Sequence, residues 1–171
     1  KLEKEKEERV AEMKEAARTA EKEERWDAAL AEWDRIDEEL GGSDEVGKRK
    51  NFVKMAKKQK EDLRLAQDHL KKEQPGKAAE KFRYIVRQSR QSERLKDTPY
   101  TKAAKDGLKL LQTEEMRHQV LALDGIRGSG CKQQNARLKV CAIILAIEPN
   151  NQKAKEAKAK AQELRSKKGC R

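Results

Sequence analysis

The side chains best suited to act as nucleophiles, bases or soft metal ligands are two histidines, three cysteines and five serines, in a chain of 171 residues. They do not converge. The serines sit in polar, loop-like or terminal contexts without a GxSxG, so none has a nucleophile's setting. His69 precedes Leu70 on an amphipathic stretch and reads as a packing or rim residue, and His118 reads the same way. Cys131, Cys141 and Cys170 contain no CxxC, and two histidines cannot complete a familiar zinc set with them. On one helix, Cys131 and Cys141 would lie about 15 Å apart along the axis, beyond disulfide reach. Any bridge is therefore expected to use Cys170, whose tail can fold back on either of the others.

One motif nearly reaches chemistry. Gly125-Ile126-Arg127-Gly128-Ser129-Gly130 has the GxxxxG of a phosphate-binding loop, but Lys132 comes one place late and no Ser or Thr follows it. No apolar strand precedes it, and that mechanism needs strand, loop and helix together. It reads as an interhelix loop. The carboxylates of residues 1–45 are dispersed among lysines, which marks a solvated helix rather than an acid–base pair. No catalytic residue, metal site or cofactor is expected, and the chain reads as non-enzymatic.

What remains is charge. Residues 1–45 carry nine basic and 17 acidic side chains, whereas residues 46–171 carry 33 basic and 14 acidic. A basic body suits an acidic partner, nucleic acid or an anionic surface. Lys54, Lys57 and Lys58 share a helical face by i, i+3 and i+4 spacing, together with Lys50, and Arg64 follows on the same helix. Arg83, Arg87, Arg90 and Arg94 form a second row at helical intervals. Aromatics interleaved with basic residues, the pattern that single-stranded nucleic acid favours, are missing.

The elements that must carry these groups are helices. Leu, Ile, Val and Phe make up only 29 residues, few enough to raise the question of disorder. The apolar residues are nonetheless periodic, and Ala, the best helix former, supplies much of the rest. The stripe Trp26, Ala29, Leu30, Trp33, Ile36 and Leu40 is the strongest, and Gly41-Gly42-Ser43 stops it. Residues 46–72 carry Phe52, Ala56, Leu63, Ala66 and Leu70. Gln74-Pro75-Gly76 turns the chain into 76–91, with Ala78, Ala79, Phe82, Ile85 and Val86. Residues 88–97 read as a fraying end and loop. Thr98-Pro99 opens a helix that runs with Leu108 and Leu111 and extends toward Met116 and Val120. Residues 132–147 form an apolar helix that Pro149 stops, and 151–167 an Ala- and Lys-rich last helix. Nothing alternates with period two for long enough to be a strand.

The expected fold class is all-α: a single domain over 1–171, with hairpins over about 3–40, 46–91 and 99–147 and a capping helix over 151–167. The expected core is Trp26, Ala29, Trp33, Ile36, Ala78, Phe82, Ile85 and Ile143. No run is long and apolar enough to span a bilayer. The chain opens on Lys1 rather than Met and is expected to be part of a longer protein. A cytoplasmic setting is favoured, with a periplasmic or membrane-tethered soluble domain as the other readings.

Three segments share a spacing. Trp26, Ala29, Trp33 and Ile36 are separated by 3, 4 and 3 residues, as are Pro75, Ala78, Phe82 and Ile85, and more weakly Gln133, Ala136, Val140 and Ile143. Glu24-Arg25-Trp26-Asp27-Ala28-Ala29-Leu30-Ala31-Glu32-Trp33 resembles the second half of a tetratricopeptide repeat. Ile144-Leu145-Ala146-Ile147-Glu148-Pro149-Asn150-Asn151 resembles the end of such a repeat. Asp97-Thr98-Pro99-Tyr100, with Ala103, Gly107 and Leu108, is similar to the opening of a first helix in bacterial members of that family. The family repeats about every 34 residues, yet Trp33 to Phe82 spans 49 and Phe82 to Val140 spans 58. The repeat is degenerate, and a generic helical bundle is the competing architecture.

The resemblance implies a scaffold or adaptor that binds a partner protein or acidic peptide through a helical-repeat surface. Lys54, Lys57, Lys58, Arg64, Arg83 and Arg87 are the residues expected to meet that partner. A basic module for nucleic acid or an anionic surface is the alternative.

Overall fold

The computed structural model describes residues 2–170, and among them every regular element is a helix. The helices are α1 (Leu2–Lys22), α2 (Trp26–Leu40), α3 (Asp44–Lys71), α4 (Pro75–Ser89), the short α5 (Glu93–Lys96), α6 (Pro99–Leu110), α7 (Met116–Gly125), α8 (Cys131–Ile147) and α9 (Gln152–Lys167). A π-helical turn, Leu111–Glu115, joins α6 to α7 without a break. No helix among the described residues is long and apolar enough to cross a membrane.

The turns follow from local chemistry. Gly41 caps α2 in the left-handed region at φ 71°, and the Gly42 amide donates to the Asp37 carbonyl. Pro75, which has no amide to lose, is the first residue of α4. Asn151 caps α9 by accepting from the Ala154 amide at 2.9 Å.

The chain divides into two compact units. The first holds the chain up to Glu61 together with Gln88–Thr101, and the second holds Asp62–Arg87 and the chain from Lys102 onward. Helices α3, α4 and α6 each contribute residues to both.

In the first unit, α1 and α2 pack as a hairpin. Val10, Ala17 and Ala20 of α1 and Ala29, Trp33 and Ile36 of α2 are buried. Both tryptophans are held by polar partners at the nitrogen, because a buried indole N–H needs an acceptor. Trp33 donates to Glu21 at 2.7 Å, across the hairpin. Trp26 turns elsewhere. It donates to the Tyr100 hydroxyl at 3.0 Å and meets the rings of Phe52 and Tyr100 edge-on.

In the second unit, Ala66, Ala78, Ala79, Phe82, Ile85, Ala104, Leu111, Cys141, Ile144 and Ile147 form one apolar cluster. Gly107 is what lets α6 approach Phe82: a Cβ built there would lie 2.6 Å from the ring. Helices α8 and α9 pack together, and Cys131 is bridged to Cys170. Cys141 is free and buried. On α8 the buried stripe is Gln134, Cys141, Ile144 and Ile147, one residue out of step with the repeat spacing. Ile143 is half-buried, packed at the edge of the cluster. The reason is that α8 is mostly polar over 132–139 and apolar at every position from Val140 to Ile147, so its spacing alone does not choose a face.

Candidate functional site

Charge segregation along the chain turns inward in the first unit. The acidic residues of the first two helices and their connection take up Arg49, Lys50, Lys57 and Lys60 of α3. Arg49 reaches Glu21 at 3.2 Å and lies over the Trp33 ring, 5.8 Å from its centroid. Burial pushes the Arg49 guanidinium below its ordinary value, with Glu21 partly opposing this. Lys50 sits between Asp34 at 2.7 Å and Asp37 at 2.9 Å, and their hydrogen bonds push its ammonium well above the usual range. Lys57 pairs with Asp27, and Lys60 with Glu24 at 3.3 Å. The Tyr100 hydroxyl also donates to Glu24, which holds that carboxyl below its ordinary value. Lys50 and Lys57 are thus engaged within the unit, an arrangement that a count of charges along the sequence does not reveal.

The six basic residues expected to meet a partner divide evenly. Lys54, Lys57 and Lys58 belong to the first unit, and Arg64, Arg83 and Arg87 to the second. Lys54 is exposed and has no ion pair among the described residues, and Lys58 is exposed on the same helix. Arg64 bonds Asp68 one turn on, at 3.0 Å. Arg83 is half-buried, and burial lowers its basicity. Arg87 is exposed. The arginine row does not survive as one face, because α4 ends at Ser89 and Arg94 belongs to α5.

Beside this basic helix the first unit carries a groove of about 520 Å³. Lys48, Asn51, Phe52 and Met55 line it from α3, at intervals of three and four that put them on one stripe, and Ser92 and Arg94 line it from the other side. Lys58 continues the stripe one turn beyond Met55. Glu93, also at the groove, is engaged by Lys96. Phe52 and Met55 are half-buried and give an apolar floor, while the rim carries Lys48 and Arg94 together with Glu45 and Glu93.

Sequence reasoning missed two polar residues that share the buried stripe of α3. Gln59 is fully buried. Its amide donates to the Thr101 hydroxyl at 3.3 Å and accepts from the Thr98 hydroxyl at 2.9 Å, and Thr101 in turn donates to the Leu95 carbonyl at 2.7 Å. This closed set fixes the residues just before α6, and no solvent-facing group is left for catalysis. Asp62, buried in the second unit, accepts from Lys81 at 2.7 Å. Thr98-Pro99 marked the start of α6, but neither threonine carries a sequence signal for a partner 39 residues away.

His69 Nδ1 lies 3.0 Å from the Gln74 amide oxygen, within hydrogen-bond distance, and His118 is exposed. Among the described residues no three His, Cys, Asp or Glu side chains are grouped to hold a metal ion. The loop 126–130 leads into α8 with Gly128 at φ 85°, and no strand precedes it. The chain matches no family model, no curated protein sequence and no solved structure.

Proposed function

We propose that this chain is a non-enzymatic interaction module of tetratricopeptide-like helical hairpins, which holds an acidic, apolar-anchored segment of a partner protein. The observation that carries this reading is the groove of the first unit. Its floor offers Phe52 and Met55 to an apolar side chain, and Lys48 and Arg94 at its rim have no ion pair among the described residues. Of the two carboxylates there, Glu93 is engaged by Lys96, while Glu45 stands beside Lys48. The hairpin α1–α2 and the paired α8–α9 are consistent with degenerate repeats, as are the shared spacings of Trp26–Ile36 and Pro75–Ile85. In such a groove the apolar contacts hold the complex, while Lys54 and Lys58 beside it raise the rate of encounter.

The test is fluorescence anisotropy with a labelled peptide that alternates Asp or Glu with Leu and Phe. A scrambled peptide and a generic DNA duplex serve as comparisons. Lys48→Glu with Arg94→Glu should weaken the acidic peptide at least several-fold without loss of helicity, and Met55→Ser should shorten its residence. Equal binding by the reversed variant would overturn the groove. Tight DNA binding with a steep salt slope, exceeding that of the peptide, would favour the nucleic-acid reading instead.

A further inference from the structure

The second unit contains a recess of about 360 Å³ where the end of α7, the loop before α8, and helices α8 and α9 come together. One of its lining residues has no structural explanation. Gln134 is fully buried, yet neither its amide nitrogen nor its amide oxygen has a hydrogen-bond partner. It lies on the stripe that continues as Cys141, Ile144 and Ile147, where an aliphatic side chain would serve packing better. A buried amide with both ends unsatisfied is costly, and natural structures retain one where something else meets it.

The surroundings say what that is. Leu123, Ala157, Ala161 and Leu164 supply an apolar wall. Two cations stand on the same recess. Arg137 is anchored through one nitrogen to the Ile126 carbonyl at 2.9 Å, and Lys160 has no ion pair among the described residues. The third cation, Lys153, is neutralised by Asp124 at 2.8 Å. A bare inorganic anion would leave both the apolar wall and the amide oxygen of Gln134 unused. A purely apolar ligand would leave the amide and the cations unmet. The size is that of a small-molecule site, with a few polar groups set in an apolar surround.

We infer that this recess binds a small organic carboxylate that also carries an amide, of the N-acylated amino-acid type. Gln134 pairs with the ligand's amide, giving one hydrogen bond and receiving one. Lys160 and the free side of the Arg137 guanidinium meet its carboxylate. An aliphatic side chain packs on Leu123 and Leu164. The site lies wholly within the second unit and does not depend on the groove of the first, so either can fail without the other.

The probe is N-acetyl-leucine, titrated into the whole chain and followed by calorimetry and by the side-chain amide resonances of Gln134. Saturable binding at about 1 mM or tighter is expected, with movement of those resonances. N-acetyl-leucinamide, which lacks the carboxylate, should bind at least ten-fold more weakly. Lys160→Gln, an exposed change that leaves the fold intact, should weaken N-acetyl-leucine by a similar factor, and Gln134→Met should abolish binding. An absence of saturation, unmoved Gln134 resonances, or equal affinity for Gln134→Met would each overturn the assignment.

Discussion

The first unit buries its two tryptophans with a polar partner at each indole nitrogen, whereas the second has no tryptophan and buries Phe82 among alanines and isoleucines. The first adds a closed Gln59–Thr98–Thr101 network and a set of ion pairs that runs from Glu21 to Lys60. The second adds a covalent bridge between the start of α8 and the tail beyond α9. Both are thin-cored helical units with few large aliphatics, and each makes up the shortfall differently. Polar groups with fixed geometry specify one packing at little net gain, while an apolar cluster with a cross-link stabilises without demanding directional bonds.

The sharpest way to break the comparison is at Trp33. It is 1% exposed, bonded to Glu21 and covered by Arg49. Truncation removes a fully buried indole and takes one donor from Glu21, which keeps its pairing with Arg49. Trp33→Ala should cost about 3–5 kcal/mol, read from urea melts. A loss under about 1 kcal/mol would mean that the ion pairs, rather than the indole, hold that hairpin.

For the second unit the counterpart is the bridge. Cys131 and Cys170 close a loop with a sequence separation of 39. Cys170→Ser should cost about 2–4 kcal/mol, mostly by freeing the unfolded chain. Thermal melts with and without reductant check it: the wild type should fall to the variant's midpoint under reductant, and the variant should not move. Equal midpoints for the oxidised wild type and the variant would mean that the α8–α9 contact holds without the link.

How far the sequence disclosed these two designs depends on the kind of interaction. The helices over 26–40, 75–89, 131–147 and 152–167 were legible because caps, prolines and a period of 3.6 are local signals. Leu111 to Gly125 continued as helix through a π turn that no residue type announced. Cys170 could be named as the bridging residue because helix geometry excluded the other pair. The buried face of α8 was not legible, since its second half, Val140 to Ile147, is apolar at every position and offers no contrast, and the face is set by what packs on it. The pairing of Lys50 with Asp34 and Asp37, and of Gln59 with two threonines far along the chain, was hidden for a simpler reason. Charge and polarity in a sequence give the sign of an interaction and never its distance.

A smaller contrast uses glycines on helices. Gly107 touches Phe82 so closely that an added Cβ would sit 2.6 Å from two ring carbons, and Phe82 is itself buried. The ring cannot swing aside as an exposed side chain would. Alanine brings a helix-propensity gain of just under 1 kcal/mol against an overpacking cost of about 1–3 kcal/mol. Gly107→Ala should therefore destabilise by about 1–2 kcal/mol in chemical denaturation. A neutral result would show that α6 can retreat from α4 at no cost.

Gly47 gives the smallest effect and the opposite sign. It lies in the first turn and a half of α3, its amide already donates to the Ser43 carbonyl, and an added Cβ would meet nothing within 4 Å. Its backbone is ordinary helix, so alanine introduces no strain and restricts the unfolded chain more than glycine does. Gly47→Ala should stabilise by about 0.5–1 kcal/mol, which for a chain of this size raises the melting midpoint by roughly 1–4 °C. The residue stands one position before Lys48, at the end of the groove lined by Phe52 and Met55. If the melting midpoint rises while affinity for the acidic peptide is unchanged, the glycine is only a weak point in the helix. If the midpoint rises and the peptide is excluded, the open space beside Gly47 belongs to the partner's backbone. A fall in the midpoint would contradict the open surroundings described for this turn.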